Sequence, residues 1–292
     1  MNLLLCIHNK SEESRHLIGL AVKVSEGFGA DLSVVVVGKK AGGFMESELS
    51  LAQQSLAEWD LYQPGIDLLS WAFKRIIEFD YIHVEPIVFQ PGNFIEENNR
   101  IRMVLPHSSG SQVSLILRQG NLLNELKSET EHHRYELTMI KKPARKKLIH
   151  HFIQFLNSSV FIVPDFDLEK PNDILLCVND ARLTKRAVMS GAIISRQFGN
   201  NIKVVTVSKN ANFRKGYRNA SRWADKYLTR FKAAHNVEMK TGRAVELFVK
   251  DAGSEHIIVM GCADRNEIVK YLFGSKPIHT AQRAQCPVLV VK

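Results

Sequence analysis

An apolar run closes on Val259-Met260-Gly261-Cys262-Ala263-Asp264, and nine residues later comes Gly274-Ser275-Lys276. A second apolar run, Pro287-Val288-Leu289-Val290-Val291, follows. The order is strand, long loop, helix start, strand. Glycines at 261 and 274 let backbone N–H groups approach a phosphate closely, and the helix N-terminus after Ser275 adds partial positive charge. Ser275 can cap that helix and touch a phosphate oxygen, and Lys276 adds a cation. Asp264 acts the other way, putting a carboxylate and a Cβ into the loop. At about 4 Å from a phosphate charge the repulsion is about 4 kcal/mol at an effective dielectric near 20. As an ordinary loop residue, Asp264 would instead make a local turn bond. The chemistry on offer is anion recognition by backbone, weakened at one point.

Other chemistry-bearing clusters are weaker. His132-His133 and His150-His151 are adjacent pairs, whose side chains diverge on a helix. No carboxylate or cysteine stands at ligand spacing, so no metal site is expected. No Ser-His-Asp or Cys-His arrangement follows from spacing, so no catalytic residue is assigned and the chain is read as a non-enzyme. Arg214, Lys215, Arg218, Arg222, Lys226 and Arg230 form a basic helix face. Few aromatics share that face for base stacking, which argues against nucleic acid. Lys141-Lys142-Pro143-Ala144-Arg145-Lys146-Lys147 places five cations where Pro143 suits the first turn of a helix. Cations there oppose the helix dipole and suit an anion or an acidic partner, or form a solvated face.

A chain of 292 residues, 45% hydrophobic and 24% charged, has the composition of one large or two ordinary globular domains, neither disordered nor fibrous. The net charge of +9, with a pI near 9.4, fits a solvated basic surface or an anionic partner: nucleotide, nucleic acid or acidic lipid. No apolar run approaches the roughly 18 residues of a membrane span. Met1 to Ile7 runs straight into a strand pattern without the charged and apolar regions of a signal peptide, so a cytoplasmic location is expected. Four cysteines make no disulfide framework, and Cys6 and Cys177 read as buried thiols.

The elements that must position the glycine loop come from an internal repeat. Leu3–Ile7, a helical pattern to Gly29 and the run Leu32–Val37 match Ile174–Val178, a helical pattern to Gly199 and Ile202–Val207. Ser14-Arg15 matches Thr184-Lys185, and Val160–Val163 mirrors Val288–Val291. The glycines fall where a helix C-cap needs positive φ. A proline-bracketed stretch, Pro164 to Pro171, lies between the halves. The second half predicts strands 174–178, 202–207, 237–240, 256–260 and 287–291. Helices are predicted near 182–198, 217–235, 244–252 and from about 275. Near-continuous Val/Ile/Leu strands between helices mean a parallel sheet covered on both faces. The first half adds helical patterns at 46–60 and 66–79. Within an insertion spanning 81–112, Tyr81–Phe89 and Arg100–Leu105 are strand-like, an inserted hairpin or loop. From Ile140 to Val160 the first half is about seven residues shorter than from Gly261 to Val288, and it contains no glycine, so no phosphate loop is expected there. The fold class is α/β: two tandem, doubly wound, five-stranded parallel-sheet domains at 1–164 and 172–292.

The glycine loop and the Cys286-Pro287-Val288-Leu289-Val290-Val291 ending resemble the universal stress protein family, whose pattern is Gly-x2-Gly-x9-Gly-Ser/Thr. Three of four points match, with Asp264 at the second glycine. The resemblance covers nearly all of 172–292 and is weaker over 1–164. It implies a Rossmann-like, adenine nucleotide alpha hydrolase-like fold and a stress-response protein without assigned catalysis; some members bind ATP and others do not. It extends the candidate ligand residues to Asn179, Asp180 and Val207. Asn179 holds the position of a family aspartate that contacts nucleotide, and His8 is its counterpart in the first half. ATP or AMP is therefore expected, if anywhere, in the second half. The resemblance also implies pairing of domains through their last strands, here within one chain, and leaves a homodimer open. Three functions follow: a non-catalytic tandem stress protein acting through an unknown protein partner, an ATP or AMP sensor, or a regulatory module of a membrane transporter.

Overall fold

The computed structural model describes residues 1–38, 51–82, 89–90, 93–97, 100–106, 111–170, 172–262 and 276–292, with side chains from residue 62 onward in the helix that begins at 51. The first half runs β1 (Asn2–Ile7), α1 (Glu12–Phe28), β2 (Asp31–Gly38), α2 (Leu51–Glu78), β3 (Ile95–Glu97), β4 (Arg100–Pro106), β5 (Gln112–Gln119), α3 (Leu122–His132), β6 (Leu137–Lys141), α4 (Lys146–Phe155) and β7 (Ser159–Val163). The second runs β8 (Asp173–Cys177), α5 (Thr184–Phe198), β9 (Ile202–Ser208), α6 (Lys215–Phe231), β10 (His235–Thr241), α7 (Ala244–Ala252), β11 (His256–Gly261), α8 (Lys276–Arg283) and β12 (Val288–Val291).

Local chemistry starts and stops these elements as the sequence indicates. Ser11 caps α1, its Oγ accepting from Ser14 N–H, and Glu12 and Glu13 sit in the first turn where the dipole favours them. Gly29 and Gly199 end α1 and α5 at φ 57° and 68°, a conformation that a Cβ disfavours. In the strands, side chains alternate between two cores. Leu3, Leu5 and Ile7 enter the layer under α1, α2, α5 and α6. Leu4 and Cys6 enter the layer with Ile149, Phe152, Phe248 and Ala281. Helices thus cover both faces.

All twelve strands form one sheet, ordered β10-β9-β8-β11-β12-β7-β6-β1-β2-β5-β4-β3. Each half contributes five parallel strands in the same winding order. The halves meet where β12 runs antiparallel to β7, pairing Val288 with Ile162, Leu289 with Phe161 and Val290 with Val160. Pairing through the last strands is therefore internal to the chain. Helices follow it across the junction: Gln197 of α5 donates to Glu26 of α1 at 3.0 Å, and Gln282 of α8 donates to the Lys146 carbonyl at 3.0 Å. No helix among the described residues is long and apolar enough to cross a membrane.

Three sequence expectations shift. The patterns at 46–60 and 66–79 form one helix, α2, through Pro64-Gly65; residues 46–50 lie outside the described residues. Proline forfeits one helix bond, but Gly65 lies flat against Leu117, where a Cβ would stand 2.4 Å from that side chain, and Ile66, Leu69, Phe73 and Ile76 bury the following turns. The described hairpin pairs Arg100–Arg102 of β4 with Ile95–Glu97, and Tyr81 and Ile82 of the strand-like Tyr81–Phe89 stretch are not in a strand. Asp80 turns the chain at φ 57°, which buries Tyr81 and Ile82 under α2, and residues 83–88 lie outside the described residues. α6 ends at Phe231, four residues before the predicted end, because Lys232 takes a left-handed cap.

The insertion is tied down by charge. Glu129 of α3 is fully buried and accepts from Arg100 Nη2 at 2.9 Å, Arg118 Nη1 at 3.0 Å and the Tyr135 hydroxyl at 2.9 Å. Neutralising it leaves the buried Arg100 without an acid, while Arg118 keeps Glu125 at 2.8 Å. Glu129→Gln is expected to lower unfolding stability by about 3 kcal/mol, read from urea melts, with the loss concentrated in the first half.

Candidate functional site

The C-terminal ends of β8, β9 and β11 open onto a cavity of about 280 Å³. It lies where the winding reverses between β8 and β11, the position at which open α/β sheets hold ligands. Asn179, Asp180, Val207, Gly261 and Lys276, all nominated from sequence, line it together. Asp264, Gly274 and Ser275 lie outside the described residues. Sequence reading missed Tyr217, Ala244, Phe248 and Met260, which also line it, with Cys177, Val178, Ala181 and Pro277 beside the nominated residues. Phe248 stands at the fifth position of α7 and Met260 one residue before Gly261, so both read as core from periodicity alone.

Asn179 is largely committed to its own loop. Its Oδ1 accepts from the Thr184 hydroxyl at 2.5 Å and from Ala181 N–H at 3.0 Å, fixing the turn from β8 into α5. The first half repeats this with Asn9, whose Oδ1 accepts from Ser14 Oγ at 2.7 Å and Ser11 Oγ at 2.9 Å. Asn9, not His8, is the counterpart of Asn179. The first half has one more residue between strand and helix, and the Ser14/Thr184 match already carried that offset. His8 instead lies beside Cys6, its ring nitrogens 4.0 Å from the sulfur. Asp180 packs on Gly216, where a Cβ would come within 2.9 Å of its carboxylate.

Gly261 has a packing reason of its own. A Cβ there would stand 2.8 Å from the Leu183 carbonyl carbon and 3.0 Å from Thr184 N, both backbone atoms that cannot swing away. In sheet register the first-half equivalent of Gly261 is Lys141, one residue later than the Ile140 used in the sequence comparison: Gly261 pairs with Val291 and Lys141 with Val163. Lys141 Nζ faces Asp165 at 3.3 Å and Glu13 at 3.8 Å, so ion pairs occupy the place of the second-half cavity.

The basic cluster around it also differs from expectation. α4 starts at Lys146 with Arg145 as its cap residue, leaving Pro143 ahead of the helix. The Lys142 N–H is held by the Val163 carbonyl, just past the end of β6, and the chain bends at 144–145 before α4. Lys142 Nζ crosses to the second half and donates to the Ala284 carbonyl at 2.5 Å, and burial lowers its pKa. A space of about 340 Å³ at this seam is lined by Lys142, Lys146, Asp165 and Gln282.

No thiol at the site is poised for chemistry. Burial raises Cys177 well above its usual pKa, and pushes Cys6 up to about 12 and Cys286 up to about 11. All four cysteines are buried and unbridged. No metal-binding group of His, Cys, Asp and Glu occurs among the described residues, His132-His133 and His150-His151 included.

No family sequence model matches the chain, and no curated protein matches it in sequence. Solved structures do match in shape. A universal stress protein from Archaeoglobus fulgidus superposes with a TM-score of 0.62 over 100% of this chain and 96% of its own, at 13% identity. A protein of unknown function from Pseudomonas aeruginosa gives 0.58 over 100% and 92%, at 14% identity. The fold is that of the universal stress proteins. Both matches run the full length of the chain, so the tandem arrangement as well as the single wing is shared.

Within this tandem universal stress protein fold, the glycine is separable from any ligand. Gly261→Ala is expected to destabilise the ligand-free chain by about 1–3 kcal/mol, measured by urea denaturation, through overpacking against Leu183. Unchanged stability would mean that the glycine serves only a bound molecule. All four thiols are buried, and Cys6, Cys177 and Cys286 also have raised pKa values, so the four are expected to resist a disulfide reagent at neutral pH in the folded chain and all to react in denaturant.

Proposed function

We propose that the chain is a non-catalytic regulatory protein of the universal stress type, with one small-ligand site in its second half and none in its first. The ligand is an adenine mononucleotide such as AMP, bound more weakly than in a complete phosphate loop. The observation that carries this reading is the convergence of Asn179, Asp180, Val207, Gly261 and Lys276 on one cavity at the switch point. Three features favour a mononucleotide over a triphosphate. The volume of about 280 Å³ is at the lower edge of small-molecule pockets. Asn179 has spent its acceptor on Thr184 and Ala181. Asp180 brings a carboxylate to the rim, and Asp264 adds a second acid to the loop sequence.

The same geometry supports a regulatory rather than a catalytic role. Cys177 is held as a thiol, and the other described polar groups of the lining are Asn179, Asp180, Tyr217 and Lys276. Lys276 and Pro277 line the cavity at one end of α8, and Gln282 at the other end binds the first half. A ligand against Lys276 therefore pulls on the helix that spans the seam, which couples occupancy to the pairing of the halves. The output is a change in what the paired halves present to a protein partner, in a cytoplasmic stress response.

Calorimetry should find one AMP per chain, no turnover of ATP, and a melting shift that grows with ligand. At a ligand concentration 100 times Kd the added stability is about 2.7 kcal/mol. Ala244→Trp, which fills the cavity from the first position of α7, should abolish binding while leaving the ligand-free melting temperature within a few degrees. No heat and no melting shift with millimolar ATP, ADP or AMP plus Mg²⁺ would sink the nucleotide reading.

A further inference from the structure

Positive charge is divided unequally along this chain. Residues 172–292 hold 21 Lys and Arg against 9 Asp and Glu, whereas residues 1–171 hold 18 against 21. The whole excess belongs to the second half. Within it, residues 180–234 carry 13 cations and only two acids, Asp180 and Asp225. Asp225 is engaged by His235 at 3.1 Å.

Most of this charge sits on α6 and the adjoining α5. Arg218, Arg222, Lys226 and Arg230 are exposed at every fourth residue of α6, a straight row rising about 6 Å per step. Among the described residues none of the four forms an ion pair. Other surface cations do pair: Arg15 with Glu12, Arg75 with Glu78 and Lys240 with Asp251. Four aligned cations with a single acid on their helix, Asp225, form a positive track that suits an anionic partner; Arg218 also donates to the Phe213 carbonyl at 2.9 Å and to Asn212 Oδ1 at 3.4 Å.

A second feature lies along the row. Trp223, Tyr227 and Phe231 follow the cations by one residue and run parallel to them, about 100° around the helix. Their rings stack in series, with centroids 5.3 and 5.9 Å apart, and all three are half-buried in the seam toward α5. From the α5 side, Lys185 Nζ lies 5.4 Å over Trp223 and the Arg196 guanidinium 4.8 Å over Phe231. The aromatic line is thus banked by cations on both sides. At the Trp223 end the seam opens into a groove of about 480 Å³, lined also by Arg182, Thr184, Lys185, Asn219 and one acid, Asp180, which it shares with the cavity beside β8.

We propose that the α5–α6 seam binds single-stranded nucleic acid, with phosphates along Arg218, Arg222, Lys226 and Arg230 and a base that takes the place of Lys185 Nζ over Trp223, whose other face is covered by Tyr227. A positive track beside stacking rings is the general recipe for such binding. The aromatics of α6 lie beside its charged face, not on it; packing against α5 adds Lys185 and Arg196 on their far side. An acidic membrane fits less well. Of the large apolar side chains on α5 and α6, only Met189 is substantially exposed, so little is available to insert. A duplex presents no base faces to Trp223.

The test is fluorescence anisotropy with a labelled single strand of about 12 nucleotides. Four neutralised phosphates predict a log–log salt slope of about −3. The triple variant Arg222→Gln, Lys226→Gln, Arg230→Gln changes only exposed side chains and should weaken binding about tenfold. A control of equal charge change in the first half, Lys10→Gln, Lys127→Gln, Lys170→Gln, should stay within twofold. Tryptophan fluorescence should be quenched on binding, and Trp223→Phe should remove that quenching. The proposal is overturned if the two triple variants bind alike, if no quenching occurs, or if phosphatidylserine vesicles bind the chain while the oligonucleotide does not.

Discussion

The antiparallel contact between β7 and β12 is the constraint on which the rest of the structure rests. Val160–Val163 and Val288–Val291 are buried apolar strands that would otherwise stand as the open edges of two separate sheets. Such edges template aggregation. Pairing them covers both, and it leaves as outer edges only the short β3 and the polar β10. The same contact brings α1 against α5 and α4 against α8, so four helices bury surface across the junction. Neither half holds its present surface without the other, and the seam becomes a place where an event at one cavity can be felt by both.

The two halves show one architecture under different demands. Both begin with an asparagine that ties the first strand to the first helix, Asn9 and Asn179, using the same acceptor and the same serine or threonine hydroxyl. They diverge at the end of the fourth strand. There the second half needs Gly261 because the backbone of Leu183 and Thr184 comes too close for a Cβ. The first half places Lys141 at that register and satisfies it with Glu13 and Asp165. A cavity opens at that register in one half, and surface ion pairs hold it in the other. The glycine that first suggested a phosphate loop is held in place by helix packing, which remains whether or not anything binds.

Charge completes the division of roles. The first half spends two of its cations, Arg100 and Arg118, with Glu129 and Tyr135, on holding an insertion against the sheet. The second half aligns a row of cations, none in an ion pair among the described residues, beside stacked rings. A buried network secures the first half, and the charged surface of the second is the one proposed to meet a partner.

Much of the fold was legible in the sequence. Continuous Val/Ile/Leu runs at β1, β2, β8, β9 and β11, and glycine caps at 29 and 199, identify buried parallel strands and helix ends because they reflect local period and local backbone preference. The internal repeat then implies two copies of one winding, and five of the eight nominated ligand residues do line one cavity. What sequence missed depends on partners distant in the chain. α2 continues through Pro64 because Leu117 receives Gly65. Asn9 replaces His8 because hydrogen bonding, not position after the strand, defines the match. The aromatic line gains its charged far bank only when α5 packs beside α6. Local pattern determined which elements exist and where they turn. Only tertiary contact decided which residues meet, since register, close approach and unpaired charge are properties of two segments at once.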